Sequence, residues 1–226
     1  MSKREAFERE GLALYPQVLD VSALTRLRRF AGECSKAGER LDAAALTPIV
    51  DMIDRQGALG QVASTLCGRP PFAVRAILFD KLPEKNWSLH WHQDRTINVA
   101  ERINLAGYGP WTVKQGLLHV QPPQSVIEAM ITLRIHLDDV PEGNGPLRVL
   151  RESHRLGRLP EGDISALASR KEPFDCLATS GDVWAYRTAI VHSSGTVAAG
   201  NLGRRVLQLD YACEELSPPM RWAMTI

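Results

Sequence analysis

The sequence lacks any strong charge bias. Its 226 residues include 27 Lys and Arg against 26 Asp and Glu, which leaves a formal net charge of +1. Proteins that bind nucleic acid through its phosphates usually have a clear basic excess, so such a partner is not expected. Apolar residues make up 44% of the chain, too many for a disordered protein. The composition predicts one soluble, folded domain.

Long hydrophobic runs are also missing. No stretch approaches the roughly 18 apolar residues that a membrane-spanning helix needs. The first residues, MSKREAFEREGLALYP, contain no apolar core after the basic positions, unlike a signal peptide. We therefore expect a cytoplasmic protein without a membrane partner. No sequence pattern bears on the oligomeric state.

Cysteine is scarce and scattered. Cys34, Cys67, Cys176 and Cys213 form no CxxC pair, which excludes zinc-ribbon and thioredoxin-type sites. In a chain of this length four cysteines do not indicate a disulfide framework. We expect all four to be reduced thiols that pack as small hydrophobic side chains.

The chain reads as a single domain, 1–226, with a helical part over about residues 1–70 and a β-rich core over about 72–215. Ser22 is the expected cap of a helix whose apolar residues recur at helical spacing. Residues 48–66 are also predicted to be helical, although their glycines weaken that interpretation. The β-rich runs are FAVRAILFD, MITLRIHLDD, DVWAYRTAIVH and RRVLQLDYA.

These short runs have no helices between them, which favours an antiparallel sandwich or barrel. MITLRIHLDD alternates regularly, with apolar residues at odd positions from Ile131 to Leu137. Thr132, Arg134 and His136 then face the other side of the strand. That second face is predicted to meet solvent or a polar cavity.

The segment SLHWHQD holds the most informative polar residues. On a strand, His90, His92 and Asp94 project to the same side. His92 and Asp94 form a His-x-Asp pair, and His192, at the end of the run DVWAYRTAIVH, is a suitable third ligand. Two histidines and one carboxylate leave three positions of an octahedron open, as non-haem iron(II) oxygenases require.

Two arginines follow His192 at the start of the next β-rich run. A guanidinium near a metal suits a dicarboxylate cosubstrate, because its planar fork binds a carboxylate through two hydrogen bonds. Either Arg204 or Arg205 is a candidate for this anchor.

Together these motifs resemble the phytanoyl-CoA dioxygenase family of iron(II)- and 2-oxoglutarate-dependent oxygenases, which includes the ectoine hydroxylases. The likeness runs from AFEREGLALYP to RRVLQLDYA, through HQD, NGPLRVL, SHR and GDVWAYRTAIVHSSG. It implies a mainly β fold with flanking helices: a cupin-like jelly roll, or double-stranded β-helix, with N-terminal helices packed on one sheet.

The resemblance also implies functions for individual residues. His92, Asp94 and His192 would bind iron(II) and form the catalytic centre. Arg204, favoured over Arg205 by the strand alignment, would hold 2-oxoglutarate with help from Ser194. Gln93 and Trp111 match positions that contact the cosubstrate in relatives.

The implied activity is oxidation of a small molecule by O2, with release of succinate and CO2 and with ascorbate as a supporting reductant. Because halogenating relatives have a small residue at the position of Asp94, hydroxylation, desaturation or cyclisation is favoured. Relatives usually read PGSH where this chain reads RESH at residues 151–154, so we expect altered geometry in that turn.

The sequence does not identify the primary substrate. Arg134, His90, His119 and Lys81 are the candidates for contacting it, and residues 112–125 are either a lid or a plain connection.

Two other classes stay open. One is a cupin-like metal enzyme that does not use 2-oxoglutarate, such as an epimerase or another dioxygenase. The cupin motif has a glutamate a few residues after its histidines, whereas the next glutamate here, Glu101, comes nine residues after His92. The other class is a non-catalytic jelly-roll binding protein, which would be supported by the loss of a ligand.

Overall fold

The computed structural model describes residues 2–34, 36–200 and 203–226. The helices are α1 (Lys3–Glu10), α2 (Val21–Gly32), α3 (Val50–Ile53), α4 (Ala58–Cys67), α5 (Gln124–Ala129) and α6 (Glu161–Ala168), and 3-10 turns lie at Thr47–Ile49 and Ser153–Leu156. The strands are β1 (Leu12–Tyr15), β2 (Gly38–Leu41), β3 (Phe72–Lys81), β4 (Leu89–His92), β5 (Ile97–Asn98), β6 (Trp111–Lys114), β7 (Leu117–Val120), β8 (Ile131–His136), β9 (Leu147–Val149), β10 (Phe174–Cys176), β11 (Val183–Arg187), β12 (His192–Ser194) and β13 (Arg204–Ala212). Within this part of the chain, no helix is both long and apolar enough to cross a membrane.

Antiparallel sheets form the body of the protein. The large sheet has the order β1-β11-β8-β13-β3-β2, and a second sheet has the order β10-β9-β12-β4. A small sheet, β5-β7-β6, stands beside them. The predicted jelly-roll fold is confirmed.

The two faces of the large sheet have different surroundings. One packs against the N-terminal helices in the main apolar cluster, where Leu133 and Leu207 from the sheet join Leu27 and Leu59 from the helices. The alternation predicted for β8 is confirmed, since Ile131, Leu133 and Ile135 lie on this face. The polar residues Thr132, Arg134 and His136 are equally buried. The second face of the sheet therefore borders a polar interior and not bulk solvent.

The helical part of the chain also contributes to the large sheet. β1 pairs with β11 and β2 pairs with β3, so these early strands form its two edges. The predicted boundary near residue 70 therefore marks a change in composition but not the start of the sheet.

The N-terminal helices differ in detail from the prediction. α2 begins at Val21, and its cap is Asp20, whose Oδ1 accepts a hydrogen bond of 2.8 Å from the Ala23 amide. Ser22 therefore lies in the first turn. The predicted helix over residues 48–66 is divided into a 3-10 turn, α3 and α4. Its glycines have a packing purpose, because Gly57 and Gly60 lie against the backbone of residues 51–55.

The cysteine prediction is wrong for one pair. Cys67, at the end of α4, and Cys213, just after β13, form a disulfide with their Cα atoms 6.5 Å apart. Cys34 and Cys176 are free thiols. The pair is separated by 146 residues in sequence, so only the fold brings the two together and their spacing gives no hint of it.

The run DVWAYRTAIVH is also divided by the fold. β11 lies in the large sheet, whereas β12 starts at His192 and lies in the second sheet. The intervening residues carry the chain from one sheet to the other. This crossing places His192 opposite the strand that contains His92.

We predict that Gly60→Ala destabilises the protein by about 1–3 kcal/mol, because a Cβ atom there would overlap the Asp54 carbonyl group. Gly162 in α6 is the matched control, since no atom lies within 4 Å of the corresponding position. Gly162→Ala should be neutral or stabilise by up to about 1 kcal/mol. Urea unfolding of both variants measures the difference, and equal effects would contradict the packing argument.

Candidate metal centre

β4 and β12 run side by side in the second sheet, and their pairing brings the ligand candidates together. His92 and His192 are directly opposite each other, with ring centroids 4.3 Å apart. Asp94 follows the end of β4. The possible ligand atoms of His92, Asp94 and His192 all lie within 4.8 Å of one another. This separation suits donor atoms that share one metal ion.

Hydrogen bonds leave the same nitrogen of each histidine available. His92 Nδ1 lies 2.7 Å from the carbonyl oxygen of His90, and His192 Nδ1 lies 3.0 Å from that of Ile190. A carbonyl only accepts, so each Nδ1 carries the proton and each Nε2 keeps its lone pair. Burial, together with the nearby His92, lowers the pKa of His192 to about 4. A neutral imidazole is the form that binds a metal.

The carboxylate of Asp94 is tied to the large sheet through Arg75. Arg75 Nη2 lies 3.1 Å from Asp94 Oδ2, and its Nε makes an ion pair with Asp210. Asp210 in turn accepts a hydrogen bond of 2.9 Å from Thr132 Oγ1. Burial opposes ionisation of Asp94, but the charge of Arg75 holds the pKa of this carboxyl group below its usual value. The carboxylate is therefore ionised and oriented before any metal arrives.

Register in the large sheet builds a polar row across the interior. Arg204 on β13 pairs with Lys81 on β3, and Asp210 pairs with Arg75. Gln208 of β13 pairs with Arg134 of β8. Residues two apart on a strand share a face, so these side chains all project toward the second sheet.

One end of this row is a cluster of cations, Lys81, Arg134 and Arg204. All three are buried, and in the described part of the chain none has a carboxylate within ion-pair distance. Arg204 Nε donates to the carbonyl oxygens of Asn144 and Gly145 at 3.0 and 3.1 Å. Burial and the neighbouring Arg204 and Arg134 lower the pKa of Lys81 to about 7. Buried like charges without counter-ions favour an anionic ligand.

The two adjacent arginines have different surroundings. Arg205 is half-exposed and makes a two-pronged ion pair with Asp138, with nitrogen–oxygen distances of 2.8 and 2.9 Å. Arg204 alone projects into the interior. The geometry thus favours Arg204 over Arg205 as the anion anchor.

The two other residues predicted to contact the cosubstrate differ in position, since Gln93 lines the cavity and Trp111 does not. The Gln93 amide is fully used by the backbone, since it donates to Gly157 and Ala189 and accepts from the Leu159 amide. Trp111 lies in the small sheet, packed in a separate apolar cluster. It does not line the cavity beside the ligands. The geometry supports neither as a cosubstrate contact, and Gln93 instead fastens the ligand segment to two loops.

Of the four residues predicted to contact the substrate, three line the cavity and one does not. His90 lines the cavity and is exposed, Arg134 lines it from the large sheet, and Lys81, only 1% exposed, belongs to the cation cluster. His119 is buried in β7 outside the cavity lining. Its Nδ1 lies 2.9 Å from the Leu117 carbonyl oxygen, and burial lowers its pKa to about 4. A contact between His119 and the substrate is therefore not supported.

The unusual turn at residues 151–154 still supports the ligand strand. Glu152 adopts φ +68°, the left-handed conformation that a glycine in PGSH would adopt readily. Ser153 Oγ accepts a hydrogen bond of 2.8 Å from the amide of Val191, the residue before His192. Retention of the serine keeps this support in place.

A cavity of about 830 Å³ connects the ligand group and the cation cluster. Its volume is suited to a small organic ligand together with a cosubstrate. Aromatic and aliphatic walls come from Phe79, Trp87, Trp91 and Ile164. Sequence reasoning missed Arg40, Arg75 and Lys114 in this lining. Arg75 had a signal, since it is the only charged residue of the run FAVRAILFD before its final Asp80. Lys114 lies in the possible lid at residues 112–125, and Arg40 lies far from every motif.

Comparison with known families assigns the chain. A model described as Phytanoyl-CoA dioxygenase (PhyH) matches residues 7–206. The chain belongs to the phytanoyl-CoA dioxygenase family. Among curated proteins no significant sequence match is found.

Solved structures share the fold at low sequence identity. EctD from S. alaskensis superposes with a TM-score of 0.71 at 18% identity, covering 97% of this chain and 80% of that one. SnoK, a non-heme alpha ketoglutarate dependent carbocyclase from nogalamycin biosynthesis, gives 0.69 at 15% identity over 93% and 83%. AviO1 from Streptomyces viridochromogenes Tue57 gives 0.65 at 22% identity and covers 96% of both chains. Other similar structures are HygX from Streptomyces hygroscopicus with nickel and 2-oxoglutarate, and the epimerase SnoN with Fe3+ and alpha ketoglutarate.

We predict that His92→Ala removes iron(II) binding, because only two protein ligands would remain of the three. His90→Ala is the control, since His90 lines the same cavity but lies outside the ligand group. Metal content after anaerobic loading with iron(II) and desalting gives the result. A stoichiometric metal in His92→Ala would refute the assignment.

Proposed function

We propose that this protein is an iron(II)- and 2-oxoglutarate-dependent dioxygenase that hydroxylates a small molecule. The observation that carries the proposal is the presence, in one cavity, of a three-ligand group beside buried cations without counter-ions. The first suits a metal with open positions, and the second suits the far carboxylate of a dicarboxylic acid.

The donor set fits iron(II). Two Nε2 atoms and one carboxylate oxygen would hold the ion, while Arg75 keeps the carboxylate ionised and oriented. When bound, the metal with its cosubstrate supplies the oxidising chemistry. His92, Asp94 and His192 would supply three ligands and leave the other coordination positions to ligands from solution.

The position of the cations fits 2-oxoglutarate. Ser194 lies two residues after His192 on β12, about 6–7 Å along the strand, and on the same face. Lys81 Nζ is 3.5 Å from Ser194 Oγ and donates to the Gly195 carbonyl at 2.8 Å. Arg204 is the register partner of Lys81. A five-carbon dicarboxylate bound at the metal by its 2-oxo acid end would point its other carboxylate toward this cluster.

The structural relatives agree with these ligands, since EctD, HygX and SnoN have each been crystallised with 2-oxoglutarate or alpha ketoglutarate. They include an epimerase and a carbocyclase, so the relatives alone do not select a reaction. Halogenation is not proposed, because Asp94 occupies the carboxylate position, where a halogenating enzyme needs a small residue. We propose hydroxylation as the reaction, with desaturation or cyclisation as the alternatives that Asp94 equally allows.

A cupin-like enzyme without 2-oxoglutarate, or a binding protein, is less well supported. An enzyme without 2-oxoglutarate leaves three buried cations beside the ligand group with no anion to bind, which would cost stability. A non-catalytic binding protein would be supported by the loss of a metal ligand, whereas His92, Asp94 and His192 are all present.

We predict that Arg204→Ala weakens 2-oxoglutarate binding by about 2 kcal/mol or more, roughly thirtyfold, because the distal carboxylate loses a buried charged partner. Anaerobic titration of the iron(II) protein, followed through the visible absorption of the chelate, measures the affinity. Arg205→Ala is the matched control and should change it little, since Arg205 is paired with Asp138. Arg204→Lys should recover part of the loss. A loss confined to Arg205→Ala would reverse the assignment.

We also predict slow release of succinate when the protein is supplied with iron(II), ascorbate and 2-oxoglutarate in air, without a primary substrate. Asp94→Ala should abolish the release, because it removes a ligand. Succinate is measured by mass spectrometry at enzyme concentrations comparable to the cosubstrate. Release no greater than in a metal-free control, combined with failure to bind 2-oxoglutarate, would contradict the proposed function.

A further inference from the structure

Besides the cluster of three cations described above, two further cations line the cavity. Arg40 lies on the edge strand β2, and Lys114 ends β6 of the small sheet. In the described residues neither has a carboxylate within ion-pair distance. Arg40 Nε is fully buried, and no described residue forms a hydrogen bond with it. A guanidinium that lines a cavity without a counter-ion, and with an unpaired donor at its buried end, points to a ligand that is not part of the protein.

The hairpin β6–β7 is fastened so that these two cations meet. Gln115 and Gly116 form its tip with φ +52° and +82°, the left-handed pair that a tight two-residue turn requires. The Gln115 side chain accepts from the Arg40 amide at 2.9 Å and donates to the Gly38 carbonyl oxygen at 2.7 Å. The residue before this latch is Lys114. The hairpin thus holds its lysine beside the arginine of β2.

The pair is separate from the site proposed for 2-oxoglutarate. Arg40 is opposite Ile77 on β3, and Ile77 is four residues, about 13 Å, from Lys81 along the strand. Burial and the charge of Arg75 lower the pKa of Arg40, and Asp94 opposes that shift. Lys81 instead responds to Arg204 and Arg134. Arg40 and Lys114 therefore belong to the ligand end of the cavity, near Asp94.

The cavity lining contains more cationic than acidic side chains, so a further anion is needed to balance its charge. Arg75 is neutralised by Asp94 and Asp210, and a bound dicarboxylate would occupy the cluster at Lys81 and Arg204. No acidic residue of the described lining except Glu161 remains to balance the other cations. The cavity lining also includes apolar and aromatic side chains, among them Trp87, which lies beside Lys81, and Trp91.

We propose that the primary substrate is an anion with an apolar body, whose carboxylate or phosphate group is held between Arg40 and Lys114. The inference rests on the proposed function, because it takes the cavity to be shared with 2-oxoglutarate. It places the apolar body against the aromatic wall and the reacting carbon next to the metal ligands.

The test uses three probes of similar size: 3-phenylpropionate, phenyl phosphate and the uncharged 3-phenylpropanamide. Each is titrated by calorimetry into protein loaded with manganese(II) and 2-oxoglutarate, which bind without turnover. One or both anions should bind at least roughly tenfold more tightly than the amide, as expected for a charge-assisted hydrogen bond. The tighter anion identifies the group that the site selects.

The variants Arg40→Gln and Lys114→Gln should each weaken anion binding roughly fivefold or more, with the affinities for the amide and for 2-oxoglutarate unchanged. Unchanged 2-oxoglutarate binding also shows that the variants are folded. Lys85→Gln is the control, since Lys85 is exposed and outside the cavity lining, and it should have no effect.

Equal affinities of the anions and the amide, no anion binding up to the solubility limit, or an equal loss for the amide in Arg40→Gln would overturn the proposal. Displacement of 2-oxoglutarate by the anions would also do so, because they would then occupy the other cation cluster. If 2-oxoglutarate itself fails to bind to the unmodified protein, the proposed function fails separately. The same titrations with manganese(II) alone then decide whether Arg40 and Lys114 hold an anion.

Discussion

One buried guanidinium connects the candidate metal centre to the framework of the protein. Arg75 projects from β3 between Asp94, on the ligand segment, and Asp210, on β13. Removing Arg75 would leave two carboxylates near each other in the interior, an arrangement that costs several kcal/mol. The Nδ1 atoms of both histidines bond to carbonyl groups of their own segments, whereas the carboxylate of Asp94 is held by an ion pair from the large sheet.

The parts of the structure that follow from local pattern are those that the sequence predicts well. Alternation in MITLRIHLDD separates the helix-facing and cavity-facing residues of β8, and the motif HQD with a distant His192 identifies side chains that converge in space. Both succeed because the period of a strand determines the direction of each side chain. The strand alignment favours Arg204 over Arg205, and the structure agrees in parity, since only alternate residues of β13 face the cavity.

Features that depend on packing between distant segments of the chain could not be predicted from the sequence. The disulfide between Cys67 and Cys213, and the meeting of Arg40 with Lys114 through Gln115, join segments that share no motif. For Gln93 the sequence did suggest a function, but the structure shows a different one. Its position between two ligands suggested contact with the cosubstrate, but its amide satisfies backbone groups that the loops would otherwise leave unpaired.

The polar row along β3 has a consequence for how this chain can change. Arg75 and Lys81 lie six residues apart, an even number, and the ladder with β13 is regular between them, with its irregularity only beyond Asp210. Inserting or deleting one residue in this interval would turn one of the two cations to the helix-covered face. Length variation among descendants of this sequence should therefore accumulate in its loops, while this stretch of β3 keeps its parity.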